Sequence, residues 1–351
     1  MFLTPPSARN WLPADGRQLS IGDNQMVFSL MGTAFGPAPS AASRSRTSPR
    51  LWPGSPTTAP FKESGPSTDL DGAARAISRI PLPQAHGVRP TRVALRAVPE
   101  FASPAEHYDR FMGRYTVPLA RALADEVGVV EGMEVIDVGC GPGGLTSELA
   151  NRVGAESVAA IDPAEQFVAA CRQRNPGADV RQGVAEALPW EDDGFDAALS
   201  CLVIAFMNDA DAGLREMSRV TRPGGKLGVC MWDIGGGGMT MLRLFWSAMK
   251  AVKPGVEGEQ LRAGTTEGDI AERLTRAGLR DVTSGALEVS VRYSGFEDFW
   301  EPFTFGVGPA GQAFDSLDDD QKAAVRQATQ AQLPAGSFSL DARSWYATAT
   351  V

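Results

Sequence analysis

The stretch Val135-Ile-Asp-Val-Gly-Cys-Gly-Pro-Gly-Gly144 constrains this chain more than any other. A short apolar strand ends in glycines, and Leu145–Val153 beyond them has the spacing of a helix with one buried face. A strand that opens into a helix through glycines belongs to a parallel α/β sheet, where ligands bind at the carboxyl ends of the strands. Gly139, Gly141 and Gly144 satisfy G-x-G-x-x-G, a pattern that also recurs in tight turns and so is weak alone. Backbone N–H groups unobstructed by side chains are expected to face the ligand here. Asp162 closes the next strand, VAAIDP, about twenty residues further on, where a carboxylate can accept both hydroxyls of a ribose. These features together point to an adenosine-containing ligand without choosing between a dinucleotide and others.

The rest of the folded region keeps the alternation. Strands are expected at Glu134–Val138, Ser157–Ile161, Asp179–Gln182, Phe195–Cys201 and Lys226–Trp232. Helices are expected at Val117–Val127, Leu145–Val153, Ala164–Arg174 and Ala212–Thr221. Ser103-Pro104 reads as a cap and first helical position ahead of HYDRFMGRY. Further on, helices are expected at Met239–Val252, Thr266–Ala277, Phe296–Phe303 and Asp318–Leu333, with strands at Asp281–Arg292 and Ser337–Val351. The fold class is therefore α/β: a Rossmann-like seven-stranded sheet, mostly parallel with the last strand antiparallel, and helices on both faces.

Fourteen of the 25 prolines lie in the first 100 residues, and Gly36–Pro66 has neither a helical nor a strand period. Residues 1–95 are expected to be a disordered low-complexity extension, because such a chain buries too little apolar surface to offset its ordering entropy. It reads either as a basic tail that docks a partner or as an appendage from an upstream start; nothing in it repeats or concentrates charge. The net charge of −9 divides into +5 over residues 1–100 and −14 over the rest. An acidic body argues against a partner made of nucleic acid.

No two of Cys140, Cys171, Cys201 and Cys230 form a C-x-x-C pair, and the chain has only two histidines, His86 and His107, so no metal site is expected. Cys140, Cys171 and Cys230 read as packing residues, with no neighbouring base or cation expected to lower a thiol. The apolar run Ala197–Met207 is too short to span a bilayer, and MFLTPPSARN lacks the pattern of a secretory signal. A cytoplasmic protein is expected.

Three details bear on the ligand. Asp137 precedes the glycines, where it would repel a pyrophosphate and suit an ammonium. Arg222-Pro-Gly-Gly-Lys226 turns tightly into the fifth strand. Gly183-Val-Ala-Glu-Ala-Leu-Pro-Trp190, followed by Asp193-Gly-Phe-Asp196, joins the third strand to the fourth. With these in register the sequence resembles the class I S-adenosylmethionine-dependent methyltransferases, in the branch of the ubiquinone/menaquinone and other small-molecule methyltransferases. VIDVGCGPGG, AAIDP, GVAEALPWEDDGFDAALS and EMSRVTRPGGKLGV carry the resemblance, which covers about residues 103–235 well and the remainder loosely.

The resemblance implies a methyltransferase domain over 103–351, with a cofactor-binding core at 103–235 and a substrate-side cover at 236–351. The implied cofactor is S-adenosyl-L-methionine. Asp137 would meet its ammonium, and Gly139, Cys140, Gly141 and Gly143 would line its methionine and ribose portion. Asp162, with Pro163 beside it, would hold the ribose hydroxyls. Ala185 and Glu186 would border the adenine, and Cys201 and Leu202 would face the methionine moiety. Val184 stands where the family often has an aspartate that meets the adenine amino group, which leaves that task to the backbone or to Glu186. Tyr108 and Arg114 on the N-terminal helix would contact the cofactor, and His107 beside them is the one candidate general base.

The partner is expected to be a small-molecule acceptor. Phe296, Phe299, Trp300, Phe303 and Phe305 could line an apolar, ring-shaped acceptor pocket or form the cover's own core. Gly235–Gly238 reads equally as a hinge beside the site or a solvent loop. The scarcity of bases keeps a second reading open, that of a non-catalytic methyltransferase-like protein that binds the cofactor or a partner.

Overall fold

The computed structural model describes residues 104–351. The chain divides into two units, Met1–His86 and Gly87–Val351, and the described residues belong to the second. The expected extension over 1–95 and the cap at Ser103 lie outside the described residues.

Seven strands form one sheet in the order β3-β2-β1-β4-β5-β7-β6. They are β1 (Val135–Val138), β2 (Val158–Asp162), β3 (Asp179–Gln182), β4 (Phe195–Cys201), β5 (Thr221–Trp232), β6 (Arg280–Tyr293) and β7 (Phe338–Thr350). β1 to β5 pair in parallel, and β7 runs antiparallel to both β5 and β6. The expected α/β sheet with its antiparallel last strand is the one observed. β1 and β2 are buried at every position and β4 at all but one, which is why they read as near-continuous apolar runs instead of alternating ones. β6 alternates along its second half, with Leu287, Val289, Val291 and Tyr293 buried between exposed neighbours, because only one of its faces is covered there.

The N-terminal segment is one helical rod where two helices were expected. α1 (Ala105–Tyr108) continues through a π-helical turn, Asp109–Gly113, into α2 (Arg114–Val127). Pro118 near the start of α2 removes a backbone donor from the ladder. Arg174 pins the rod above the glycine loop: it pairs with Asp109 in the π turn and donates to the Pro142 carbonyl at 3.1 Å. The helices α3 (Gly144–Val153), α4 (Glu165–Arg174) and α5 (Ala210–Val220) follow β1, β2 and β4.

The motifs lock to one another. Arg219 on α5 donates to the carbonyls of Leu188 and Trp190, while Glu216 accepts from Leu188 N–H at 2.9 Å. The loop GVAEALPW is thereby held by the helix that carries EMSRV. A Cβ on Gly225 would stand 2.7 Å from the Asp196 carbonyl, so the RPGG turn packs directly on the start of β4.

The C-terminal cover contains α6 (Thr240–Val252), α7 (Asp269–Arg276), α8 (Phe296–Trp300), α9 (Gly308–Asp315) and α10 (Asp319–Gln330). α9 was not anticipated; its GPAGQAFD sequence has two glycines and a proline in eight residues and carries almost no periodic signal. Phe299, Trp300 and Phe303 are buried, with Phe303 stacked on Phe245 at 4.4 Å and Trp300 edge-on to Phe314 at 5.2 Å. These aromatics are the cover's own core. Asp318 caps α10 in a reciprocal box with Gln321.

Gly235–Gly238 turns around a buried carboxylate. Asp233 accepts from Arg343 Nη2 at 2.6 Å and from Gly236 N–H at 2.7 Å, and Gly238 N–H donates to its carbonyl. A Cβ on Gly236 or Gly238 would lie 2.7 or 2.6 Å from Asp233 Oδ2, so glycine is needed at both. Among the described residues, no helix is long and apolar enough to cross a membrane.

Candidate functional site

The carboxyl ends of β1, β2 and β4, the loop after β3 and the N-terminal rod enclose a cavity of about 990 Å3. That volume lies at the upper end of small-molecule sites. Tyr108, Arg114, Asp137, Gly139, Cys140, Gly141, Gly143, Asp162, Pro163, Ala185, Glu186, Cys201 and Leu202 all line it, as does Val184. His107 is not among the lining residues: it stacks on Phe305 at 4.4 Å, in the wall of the aromatic cover.

The glycine loop differs from expectation in one respect. Its N–H groups do not face the cavity as free donors. Gly139 and Cys140 both donate to the Ile161 carbonyl, Gly141 to Asp162 Oδ2 at 2.9 Å, and Gly143 to the Cys140 carbonyl. Those four donors are used internally and so are not open to an anion. What the glycines provide is closeness. Gly139 has φ +83°, and a Cβ there would stand 2.4 Å from both methyls of Val203 at the end of β4.

Two ionisable side chains lining the cavity each keep one buried atom without a partner. Asp137 is fully buried; Thr146 Oγ1 donates to its Oδ2 at 2.7 Å, and its Oδ1 has no partner. Burial pushes this carboxyl up from 3.8 to about 8. Arg114 donates through Nη2 to Asp298 Oδ1 at 2.8 Å and lies over the Tyr293 ring at 4.6 Å, while its buried Nη1 has no partner. An unpaired buried polar atom is costly, so such atoms mark where a ligand supplies the missing group.

Asp162 is held from both sides, accepting from Gly141 N–H on Oδ2 and from Ala164 N–H at 2.8 Å on Oδ1. Burial raises it to about 6 against these two bonds, and each oxygen retains a second lone pair for a hydroxyl donor. Glu186 Oε1 accepts from the N–H groups of Asn208 and Asp209, at 2.6 and 3.1 Å, which fixes the loop before α5. Tyr108 is raised far above the ordinary phenol value by burial, so its hydroxyl keeps its proton. Leu202 sits at φ +66°, a strained conformation for a branched residue, and its N–H donates to the Cys230 carbonyl.

The cysteines, scattered in sequence, meet in pairs. Cys230 Sγ lies 3.6 Å from Cys201 Sγ across neighbouring strands. Cys140 hydrogen-bonds Cys171, and that contact pulls the Cys171 thiol below its usual value while raising Cys140. The groups that lower Cys171 are a thiol, a hydroxyl and an amide, those of Cys140, Thr146 and Asn175, and none is a base or a cation.

A family model described as a methyltransferase domain matches residues 136–229, the span from β1 to β5 that walls the cavity. A second, the phage tail collar domain, matches residues 1–42, outside the described residues. A demethylmenaquinone methyltransferase of Mycolicibacterium paratuberculosis is 31% identical over 184 residues, covering 48% of this chain and 78% of that protein. An uncharacterized protein of Mycobacterium tuberculosis is 28% identical over 240 residues, 66% of this chain and 81% of its own. A fatty-acid O-methyltransferase of Mycolicibacterium smegmatis is 34% identical over 129 residues, 36% of this chain and 46% of that protein. With this sheet order, these motifs and these relatives, the chain belongs to the class I S-adenosylmethionine-dependent methyltransferases.

Proposed function

We propose that this protein transfers a methyl group from S-adenosylmethionine to a small-molecule acceptor by in-line displacement. The observation that carries the proposal is the pair of unsatisfied buried atoms, Asp137 Oδ1 and Arg114 Nη1, on a carboxyl and a guanidinium that line the same cavity. A zwitterionic amino acid answers both, its ammonium at Asp137 and its carboxylate at Arg114. Asp162 accepts the ribose hydroxyls, and Ala185 with the Glu186 backbone borders the adenine beside Val184. Gly139, Cys140, Gly141, Gly143, Pro163, Cys201 and Leu202 shape the walls between. When bound, the cofactor supplies a methyl group already activated on a sulfonium. The protein then aligns the acceptor and excludes water, tasks that proximity and enclosure perform without further chemistry.

Calorimetric titration of the purified protein with S-adenosylhomocysteine is expected to give a dissociation constant in the tens of micromolar or tighter (~10−5 M, about 7 kcal/mol). Clear binding of NAD with none of S-adenosylhomocysteine would overturn the proposal. Transfer of labelled methyl into a metabolite extract separates an enzyme from a protein that only binds the cofactor.

We also read residues 1–95 as an extension that the methyltransferase domain over 103–351 does not need. Deleting them should leave the melting temperature and S-adenosylhomocysteine affinity nearly unchanged; a large loss of either would make them part of the fold.

A further inference from the structure

Behind the glycine loop lies a layer of buried polar side chains that does not reach the cavity. Leu145 and Ser147, in the first turn of α3, line the cavity; Thr146 between them does not, and it is fully buried. A hydroxyl inside a helix ordinarily bonds the carbonyl four residues back. Thr116, Thr275 and Thr329 on other helices do so, with Met112, Ala271 and Val325 as their acceptors. Thr146 departs from that habit. Its Oγ1 donates at 2.7 Å to Asp137 Oδ2, nine positions back on β1. The carbonyl four residues before it, that of Pro142, accepts from Arg174 instead.

The far side of Thr146 is walled by Cys171 and Asn175, neither of which lines the cavity. Cys171 Sγ lies 3.4 Å from Thr146 Oγ1, and Asn175 Oδ1 accepts from Ser147 Oγ at 2.8 Å. The glycine loop rests on this wall: a Cβ on Gly143 would stand 2.7 Å from Asn175 Nδ2 and 3.1 Å from Cys171 Sγ.

The surroundings of Asp137 otherwise oppose a negative charge. Burial is the largest cause, and Cys171 on α4 and Asp162 on β2 add to it. Cys140 in the loop and Cys201 on β4 are the other titratable groups that feel its charge. The hydroxyl and the backbone N–H of Thr146 act the other way, because donors favour a carboxylate over its acid.

Resting on the methyl donor assigned above, we infer that Thr146 is a positioning residue for that donor: it holds one oxygen of Asp137 and so leaves the other for the ammonium, without touching the ligand. Removing its hydroxyl frees the carboxyl to turn and makes it harder to ionise. Both effects weaken binding, and the second depends on pH.

The test titrates the full chain with S-adenosylhomocysteine from about pH 6 to 9 and compares each variant with the wild type at the same pH, so that the ligand's own ionisation cancels. Thr146→Val, which keeps the shape, should bind about tenfold or more weakly at the acid end, since one unit of upward carboxyl shift is tenfold there. The deficit should shrink above about pH 8, where the wild-type carboxyl is already ionised and only the variant's still titrates. Thr146→Ala, which places no methyl against Asp137 Oδ2, should show the same trend. Thr146→Ser keeps the donor and should stay within about threefold of the wild type throughout. Thermal melts show which variants are folded, and either Val or Ala suffices for the comparison. A deficit of equal size at every pH would make Thr146 a packing residue and overturn the inference. Wild-type affinity in a folded Val or Ala variant, or a Ser variant as weak as these, would overturn it too. Absence of binding by the wild type would instead defeat the assignment of the donor, and the wild-type titration reports that separately.

Discussion

Asp137→Asn should lose S-adenosylhomocysteine affinity by roughly two to three orders of magnitude and still fold, because it breaks a buried charge pair worth about 3–5 kcal/mol in the complex. The free protein tolerates the change for a definite reason. Its carboxyl is raised from 3.8 to about 8 by burial, so at neutral pH it is mostly protonated and already resembles a neutral amide. The folded value lies above the unfolded one, so Asp137's contribution to stability is fully present below about pH 4 and declines by ~1.4 kcal/mol per unit as pH rises towards 8. Thermal melts of the cofactor-free protein should show that decline in the wild type and a flatter profile in the Asn variant. Binding has the opposite sign. An ammonium partner requires the ionised carboxylate, so below pH 8 binding expels a proton, and affinity rises by up to about tenfold per unit. The rise ends near pH 8, where an α-amino group loses its own proton at roughly 7.7–8.0. Calorimetry in two buffers of different ionisation heat measures the released proton directly. Wild-type affinity in the Asn variant would remove Asp137 from the cofactor site.

The second large effect belongs to Gly139. In Gly139→Ala the new methyl stands 2.4 Å from both Val203 methyls, at φ +83°. Left-handed strain of about 1–2 kcal/mol and overpacking of about 1–3 kcal/mol add in the same place. Relief requires Val203 to move, and Val203 lines the cavity. Both stability and cofactor affinity should therefore fall sharply. Gly141→Ala is the control: φ is +51°, but a Cβ there meets nothing within 4 Å, so only the strain of about 1–2 kcal/mol remains. Denaturant melts of the two variants that gave equal losses would show that the approach of the β1 and β4 ends does not control the site.

The first five strands were legible to within a residue or two, apart from the start of β5, because buried parallel strands are short apolar runs punctuated by glycine, proline and acidic turns. The thirteen residues that the resemblance assigned to the cofactor all reach one cavity; eleven of them sit at strand ends or in the loops after them, which the sheet itself places, and Tyr108 and Arg114 come from the N-terminal rod. Elsewhere local pattern was insufficient. The π turn at Asp109–Gly113 is indistinguishable from α-helix in a sequence such as DRFMG, since only the packing of the rod on Arg174 and the cover reveals it. His107 reads as a candidate base because it is the one histidine in the folded region, and its ring stacks on Phe305, 198 positions away, a contact no local pattern shows. The cysteine pairs are of the same kind: 31 and 29 residues separate the partners, and adjacency arises from sheet register and helix packing.

The amino-acid sequence by itself determined the α/β order of elements, the side of the sheet on which a ligand sits and the family to which the site belongs. The first two depend on local spacing, in the apolar period and the glycines at strand ends, and the third on the resemblance that four motifs carry in register. Only the tertiary structure decided how the glycine loop works and which charges are left for a ligand. Its N–H groups turn inward to Ile161, Asp162 and Cys140, while Asp137 Oδ1 and Arg114 Nη1 remain without partners. Whether a buried polar atom is satisfied depends on what distant segments bring to it, and no local pattern encodes that.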